Sequence, residues 1–114
     1  MLVMANGCYE LKKGQKYSFN LKAANHQVIL SSQTYESKES ALGGIASVQA
    51  NGAKDELYER KTAQSGQPFF VLKAPNGQVI GQSEMYETEA ARDNGIESVK
   101  SNSPSTQIKD LIAS

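Results

Sequence analysis

Apolar and polar residues alternate in two separate parts of the chain. In YSFNLKA (17–23) every second residue is apolar, which is typical of a strand with one buried face. FFVLKA (69–74) keeps this alternation and adds apolar side chains on the opposite face. A short apolar run, QVIL (27–30) or QVIG (78–81), follows each strand after a turn that contains Asn. Because Asn tolerates the positive φ that tight turns need, the pattern predicts one β-hairpin in each half of the chain.

A helix is predicted after each hairpin. Ala41, Ile45 and Val48 recur at helical spacing, and Ile and Val return at the equivalent positions 51 residues later. Ser37 and Thr88 stand just before these stretches. Their hydroxyls can accept hydrogen bonds from the unpaired N–H groups of a first helical turn, so both residues are suitable N-caps.

These similar patterns belong to an internal repeat. Residues 21–51 and 72–102 are identical at 15 of 31 aligned positions. Upstream, YELKK (9–13) aligns with YERKT (58–62) at an offset of 49. The C-terminal TQIKDLIA (106–113) then predicts a final strand, so that each copy is three strands, a helix and a strand.

The middle segment DELYERKT (55–62) fits two roles, the last strand of the first copy and the first strand of the second. The sequence alone does not choose between them. We divide the chain into a loose N-terminal tail (1–7), a first repeat (8–53) and a second repeat (54–114). Because domains of roughly 60 residues are only marginally stable, the two repeats are expected to share one core.

Composition narrows the functional classes. The 114 residues carry no formal net charge, which disfavours the phosphate contacts on which nucleic-acid binding depends. No apolar run approaches the roughly 20 residues that span a bilayer. The single cysteine, Cys8, cannot form an intramolecular disulfide, which predicts a protein of the reducing cytoplasm.

No catalytic, metal or cofactor site is predicted. His26 is the only histidine and Cys8 the only cysteine, so zinc has no plausible set of ligands. The sequence has neither a Gly-x-Ser-x-Gly nucleophile elbow nor a phosphate-binding glycine loop. The acidic residues near position 57 are expected to form a solvated edge. Gly44 and Gly95, inside the predicted helices, are expected to allow close approach of helix and sheet.

A polar set that occurs in both hairpins is the candidate contact surface. Its members are Lys22, Asn25, Gln27, Lys73, Asn76 and Gln78. They could form two equivalent binding surfaces, although turn and solvent-facing roles would also explain them. A second candidate surface is apolar: Ile29, Ile80, Phe69 and Val71 are predicted on the sheet face away from the helices. If they cluster, they would form a patch for a partner.

The motifs YELKK, LKAANHQVI and GIASVQ in the first copy, and YERKT, LKAPNGQVIGQSEMY and ARDNGIESVK in the second, resemble the YegP-like family of small bacterial proteins of unknown function. The resemblance covers about residues 8–112. It implies an α+β fold in which two tandem β-β-β-α-β repeats form a single antiparallel sheet, with two helices packed on one face and the final strands exchanged between repeats. The family supplies no catalytic or binding residues. His26 departs from its pattern, where Gly is usual.

We therefore expect an uncharacterised bacterial protein that is not an enzyme and has no cofactor. The favoured function is an interaction or structural module that uses the open sheet face or an edge strand, with an unknown protein as partner. The alternative is weak nucleic-acid binding on the open face, with Phe69 and Tyr17 as stacking groups beside Lys22 and Lys73. A monomer with pseudo-two-fold symmetry is expected, without membrane association.

Overall fold

The computed structural model describes residues 7–112. Within this range the strands are β1 (Cys8–Lys13), β2 (Tyr17–Lys22), β3 (Val28–Ser32), β4 (Tyr58–Thr62), β5 (Pro68–Lys73), β6 (Val79–Gln82) and β7 (Ile108–Asp110). The helices are α1 (Lys38–Asn51) and α2 (Glu89–Asn102). Most of the predicted tail (1–6) and the last residue of the predicted final strand lie outside the described residues.

All seven strands form one sheet in the order β4-β5-β6-β3-β2-β1-β7. The two repeats meet at its centre, where β3 pairs antiparallel with β6. β7 crosses over to the first repeat and pairs with β1 in parallel, with Tyr9 opposite Ile108. The predicted α+β fold with tandem repeats is confirmed. The sheet is mixed rather than wholly antiparallel, because β7 follows a helix and is not held to an antiparallel course by a hairpin.

The structure resolves the double role of the middle segment. Asp55–Leu57 forms a single 3₁₀ turn, and β4 then pairs with β5 only. The segment is therefore the first strand of the second repeat. Within the described residues, the first repeat has no separate final strand.

Both helices cover the same face of the sheet. Leu21 pairs with Leu30 across β2 and β3, and a Cβ added to Gly81 would lie 2.9 Å from Cγ of Leu30. Gly81 in turn pairs with Leu72. These pairings place the apolar faces of both hairpins on one side, where Ile45 of α1 and the equivalent residue of α2 are buried with them. The core is thus continuous across the two repeats.

Two glycines let the helices approach the sheet, as predicted. A Cβ added to Gly44 would overlap the Tyr35 hydroxyl and lie 2.9 Å from Cε2 of Phe19. A Cβ added to Gly95 would overlap the Tyr86 hydroxyl in the same way. In both repeats the tyrosine therefore occupies the space that a larger helical residue would need.

Two tyrosine hydroxyls tie the first strand of one repeat to the helix of the other. Tyr9 in β1 donates to the carbonyl of Ser103, just after α2, at 2.6 Å. Tyr58 in β4 donates to the carbonyl of Gly52, just after α1, also at 2.6 Å. Both hydroxyls are buried, so the repeats are interlocked through matching hydrogen bonds. This confirms the 49-residue offset that aligned YELKK with YERKT.

The prediction that Ile29 and Ile80 face away from the helices is wrong. Both are buried in the core, with 7% and 5% of their surface exposed. A register shift between Leu21 and Lys22 leaves Ile29 as the extra residue of a β-bulge, and the same shift recurs at the second hairpin. A bulge breaks strict alternation, so each isoleucine turns toward the helices.

Candidate functional site: twin grooves between the repeats

The predicted contact residues divide between two faces of the sheet. Lys22 and Lys73 lie on the open face, which we define as the sheet face without helices. Lys22 Nζ is 3.0 Å from Glu10 Oε2, and Lys73 Nζ is 2.9 Å from Glu59 Oε2. Hydrogen bonds from Lys73 and Lys61 lower the pKa of the Glu59 carboxyl. The two lysines are therefore engaged in ion pairs and lie apart from the amides of the set.

The four amide side chains of the set line two grooves on the helix side. The α1 groove has a cavity volume of about 260 Å³. Its hairpin wall comes from the second repeat and consists of Ala74, Asn76, Gln78, Val79 and Ile80. Its helix wall comes from the first repeat and consists of Gln33, Tyr35, Gly44 and Ser47. Each wall thus belongs to a different repeat.

The α2 groove is the counterpart on the other side of the pseudo-two-fold axis, with a volume of about 200 Å³. Its hairpin wall comes from the first repeat and consists of Ala23, Asn25, Gln27, Val28 and Ile29. Its helix wall comes from the second repeat and consists of Glu84, Tyr86, Ala91, Asn94, Gly95 and Ser98. The structure places Asn25 and Gln27 in one groove and their copies in the other, and a contact role for these residues stays a prediction.

The groove residues are the part of the repeat that differs least between the two copies. Each of the nine α1-groove residues has its counterpart 51 positions away in the α2 groove. Eight of these nine pairs are identical, and the exception is Gln33 opposite Glu84. The α2 groove has two further residues, Ala91 and Asn94, which differ from their counterparts Ser40 and Gly43. Outside both grooves, seven of the other 20 aligned pairs are identical. Identity between the copies is therefore concentrated in the grooves.

Some of this identity follows from folding. Asn25 Oδ1 accepts a hydrogen bond from the backbone N–H of Gln27 at 3.0 Å, and Asn76 does the same for Gln78. This turn permits the positive φ of the next residue, 70° at His26 and 89° in the second hairpin. Asn25 and Asn76 therefore have a structural role.

Two identical pairs, Gln27/Gln78 and Ser47/Ser98, have fewer such contacts, and Gln27 Oε1 accepts one hydrogen bond, from Nδ2 of Asn25 at 3.4 Å. Gln27 and Gln78 are exposed. Ser47 is half-buried, and its Oγ has one side-chain hydrogen bond, at 3.4 Å from Nδ2 of Asn51. Surface residues of this kind contribute little to stability. Their identity in both repeats is the observation that folding leaves unexplained.

The chemistry of the grooves is mainly that of neutral hydrogen-bonding groups on an apolar surface. Burial raises the pKa of the Tyr35 and Tyr86 hydroxyls, so both stay protonated at neutral pH. The charge of Glu84 raises the pKa of Tyr86 further. Each groove thus offers a phenol, a serine hydroxyl and amide groups, which can donate and accept hydrogen bonds.

Sequence reasoning missed Tyr35, Tyr86, Ser47 and Ser98 as groove residues. Their identity between the copies was visible, but it is shared with core residues such as Ile45. Only the arrangement of the repeats brings each tyrosine and serine opposite the other repeat's hairpin. Glu84 was also missed, since it differs from its counterpart.

The open face carries fewer of the predicted apolar side chains than the sequence indicated. Of the four predicted apolar residues, only Phe69 and Val71 lie there, opposite the buried Phe70 and Leu72 of the same strand. Tyr17 packs against the core on the other face, so it cannot form a stacking surface with Phe69. The predicted stacking pair of Phe69 and Tyr17 is therefore divided between the two faces, and both predicted lysines are held in ion pairs.

Lysine side chains line a larger concavity of about 540 Å³ at the β1–β2 turn. Lys16 Nζ is 2.8 Å from Glu36 Oε1, and Lys13 lies over the ring of Tyr17, 5.2 Å from its centroid. The two lysines are exposed groups at a turn, and the second repeat has Thr62 and Gln67 at the equivalent positions. The duplicated chemistry therefore lies in the grooves and not at this turn.

Neither helix in the described range is long and apolar enough to cross a membrane. Among residues 7–112, no group of three or more His, Cys, Asp or Glu side chains could hold a metal ion. Asp55 and Glu59, from the acidic segment near position 57, pair instead with Lys100 and Lys73.

Fold and grooves together define a class of protein: a duplicated α+β unit whose two repeats share one sheet and form two equivalent grooves. The family model described as "Domain of unknown function (DUF1508)" matches residues 13–59 and again 63–110. The chain belongs to this family, which confirms the resemblance to YegP-like proteins.

Similar proteins cover nearly the whole chain. A UPF0339 protein from Bordetella pertussis is 57% identical over 106 residues, which span 92% of this chain and 96% of that protein. The UPF0339 protein YegP from Yersinia pestis is 54% identical over 110 residues, with 95% and 98% coverage. The NMR structure of yegP from E. coli, a protein of unknown function, has a TM-score of 0.91 at 47% identity and covers 100% of this chain and 99% of its own.

Proposed function

We propose that this protein is a non-enzymatic interaction module of the cytoplasm that binds partners through its two grooves. The observation that carries the proposal is the concentration of identity between the copies in the groove walls, including the exposed Gln27 and Gln78, whose side chains have few contacts with the rest of the fold. The same neutral hydrogen-bonding chemistry is presented twice, once on each side of the pseudo-two-fold axis. Two equivalent sites suit a bivalent or repetitive partner, because linked contacts strengthen each other without any new interaction.

The size of the grooves supports binding rather than catalysis. Volumes of about 200 and 260 Å³ are below the roughly 300 Å³ at which sites for drug-sized ligands begin. Such a groove accommodates a side chain or a short extended segment of a partner. The groove tyrosines are less acidic than free tyrosine, which is the opposite of the change that activates a nucleophile. Because one chain supplies both repeats, we expect the protein to act as a monomer.

A comparison of two double variants tests this function. Gln27→Ala/Gln78→Ala removes the exposed amide from each groove. Gln15→Ala/Gln64→Ala is the matched control, since it removes two exposed amides at equivalent positions of the two first turns, away from the grooves. Each protein would be immobilised, exposed to a bacterial lysate and washed, and the bound proteins quantified by mass spectrometry. A thermal-shift screen against metabolites would use the same variants.

The wild type and the Gln15→Ala/Gln64→Ala control are expected to retain the same partners, and the groove variant is expected to lose them. The proposal would be contradicted if the groove variant bound the same set as the control. It would also fail if the wild type retained nothing beyond the bare resin and no metabolite raised its melting temperature.

A further inference from the structure

The two grooves differ in charge at one shared position. Glu84 of the α2 groove stands where the α1 groove has Gln33. Within residues 7–112, Glu84 takes part in none of the ion pairs, and no basic side chain lines either groove. One groove thus carries a carboxylate without an ion-pair partner, and the other carries its neutral isostere.

The remaining walls of the α2 groove fit the stem of a long cationic side chain. Ala23, Val28, Ile29 and Ala91 supply apolar surface. Lysine and arginine pack their aliphatic stems on such surfaces and keep the charged end near water or a carboxylate. Asn94 and the Tyr86 hydroxyl add acceptors for the N–H groups of the charged end.

We infer that the α2 groove binds a basic side chain, lysine or arginine, of a partner polypeptide, with Glu84 as its counter-ion. This inference rests on the proposed function and specifies its ligand. The partner is a polypeptide because the exposed Gln27 presents its amide on the hairpin wall of the same groove, beside the turn that Asn25 holds. Such groups can hydrogen-bond a peptide backbone while the side chain fills the groove.

NMR titration of the ¹⁵N-labelled chain with small probes tests the inference. The basic probes are the N-acetyl N-methylamides of lysine and arginine, and the neutral control is the norleucine derivative, which has the four-carbon stem of lysine without the charged nitrogen. We expect a basic probe to shift the backbone resonances of Gly95 and Ser98 in the wild type. Glu84→Gln, which copies the other groove, is expected to weaken this binding about fivefold, the effect of one modest ion pair. Gln33→Glu is expected to create the equivalent response at Gly44 and Ser47.

The charge assignment would be overturned if the norleucine probe caused equal shifts, or if wild type and Glu84→Gln bound the basic probes equally. It would also be overturned if no probe caused a shift at a concentration of about 20 mM, which is high enough to detect very weak binding. Equal binding of n-butylamine and the lysine probe would overturn the assignment to a polypeptide. Failure of the proposed function is distinguishable, because it appears as retention of all partners by Gln27→Ala/Gln78→Ala. Neutral probes that bind both grooves equally would leave that function intact.

Discussion

At the scale of single residues, neighbouring glycines of α1 have opposite roles. A Cβ at Gly43 would meet nothing within 4 Å, whereas a Cβ at Gly44 would overlap Tyr35. Gly43→Ala should therefore stabilise the protein by about 0.5–1 kcal/mol through helix propensity. Gly44→Ala should destabilise it by about 1–3 kcal/mol, because the helix must move off the sheet. Urea unfolding of both variants measures the difference, and equal stability would show that the helix does not need this close approach.

The buried tyrosines make stability sensitive to alkaline pH. Burial raises the pKa of Tyr9 and Tyr58 well above the ordinary value near 10. Above about pH 10 the unfolded chain loses these protons while the folded chain keeps them, so the free energy of unfolding falls as pH rises. Below that range the two states bind the same protons, and this contribution is constant.

Tyr58→Phe tests this account. It leaves the buried carbonyl of Gly52 without its donor, which should cost about 1–3 kcal/mol at pH 7. It also removes one of the groups that titrate only in the unfolded chain. Urea unfolding at pH 8 and pH 11 should therefore show a smaller loss with pH for the variant than for the wild type. An equal loss of unfolding free energy in both proteins would mean that Tyr58 does not cause the loss of stability at alkaline pH.

At the scale of elements, the sequence predicted the strands and helices well but not the side of the sheet that every residue faces. Ser37 and Thr88 cap the two helices as predicted, because capping depends on local hydrogen bonds. Ile29 and Ile80 could not be placed, because a β-bulge interrupts the alternation from which the prediction was made. The parallel pairing of β7 with β1 could not be predicted from local sequence patterns, because it joins residues about 100 positions apart.

The two outer strands of the hairpins have different neighbours. β1 is covered by β7, and its Leu11 is buried. β4 has no strand on its outer side among residues 7–112, and at the position of Leu11 it carries Arg60, which lies 3.0 Å from Asp93. Charged side chains are a common protection against pairing of exposed strand edges between molecules. We interpret Arg60 in this way.

Removal of this protection should cause self-association. The variant Arg60→Leu/Lys61→Val gives β4 an apolar edge and is expected to form dimers or larger species in a concentration-dependent way. The control Arg60→Gln/Lys61→Gln removes the same charges but stays polar, and is expected to remain monomeric. Sedimentation velocity distinguishes the species. A monomeric Leu/Val variant across the micromolar range would show that the charges are not what keeps this edge free.

At the scale of the whole molecule, neither repeat is complete without the other. Tyr9 and Tyr58 each bond to a carbonyl in the opposite repeat, and β7 adds to the first repeat's edge. We expect the segments 8–53 and 54–114, expressed separately, to show no cooperative thermal transition by circular dichroism, while the full chain shows one. A cooperative transition of either segment in the monomeric state would contradict the interlocked core.

Each groove forms where a hairpin of one repeat meets the helix of the other, so the sequence could predict only those groove residues that have a local role. Asn25 and Gln27 were identified because they recur in a turn, where local chemistry is readable. Ser47 and Tyr35 were not, since they meet the second hairpin only after the repeats pair around the pseudo-two-fold axis. Identity between the copies was visible from the start, but its concentration in the grooves appears only in three dimensions.

The central claim is that the exposed Gln27 and Gln78 and the half-buried Ser47 and Ser98 are identical for binding and not for folding. The most direct test is the free energy of unfolding of the variant Gln27→Ala/Gln78→Ala/Ser47→Ala/Ser98→Ala, measured by urea denaturation. Substitutions at such positions usually change stability by no more than about 0.5 kcal/mol each, and the two helical alanines offset part of any loss. We predict a total change below about 1 kcal/mol. A loss above about 2 kcal/mol would show that folding itself requires these residues, and would contradict the claim.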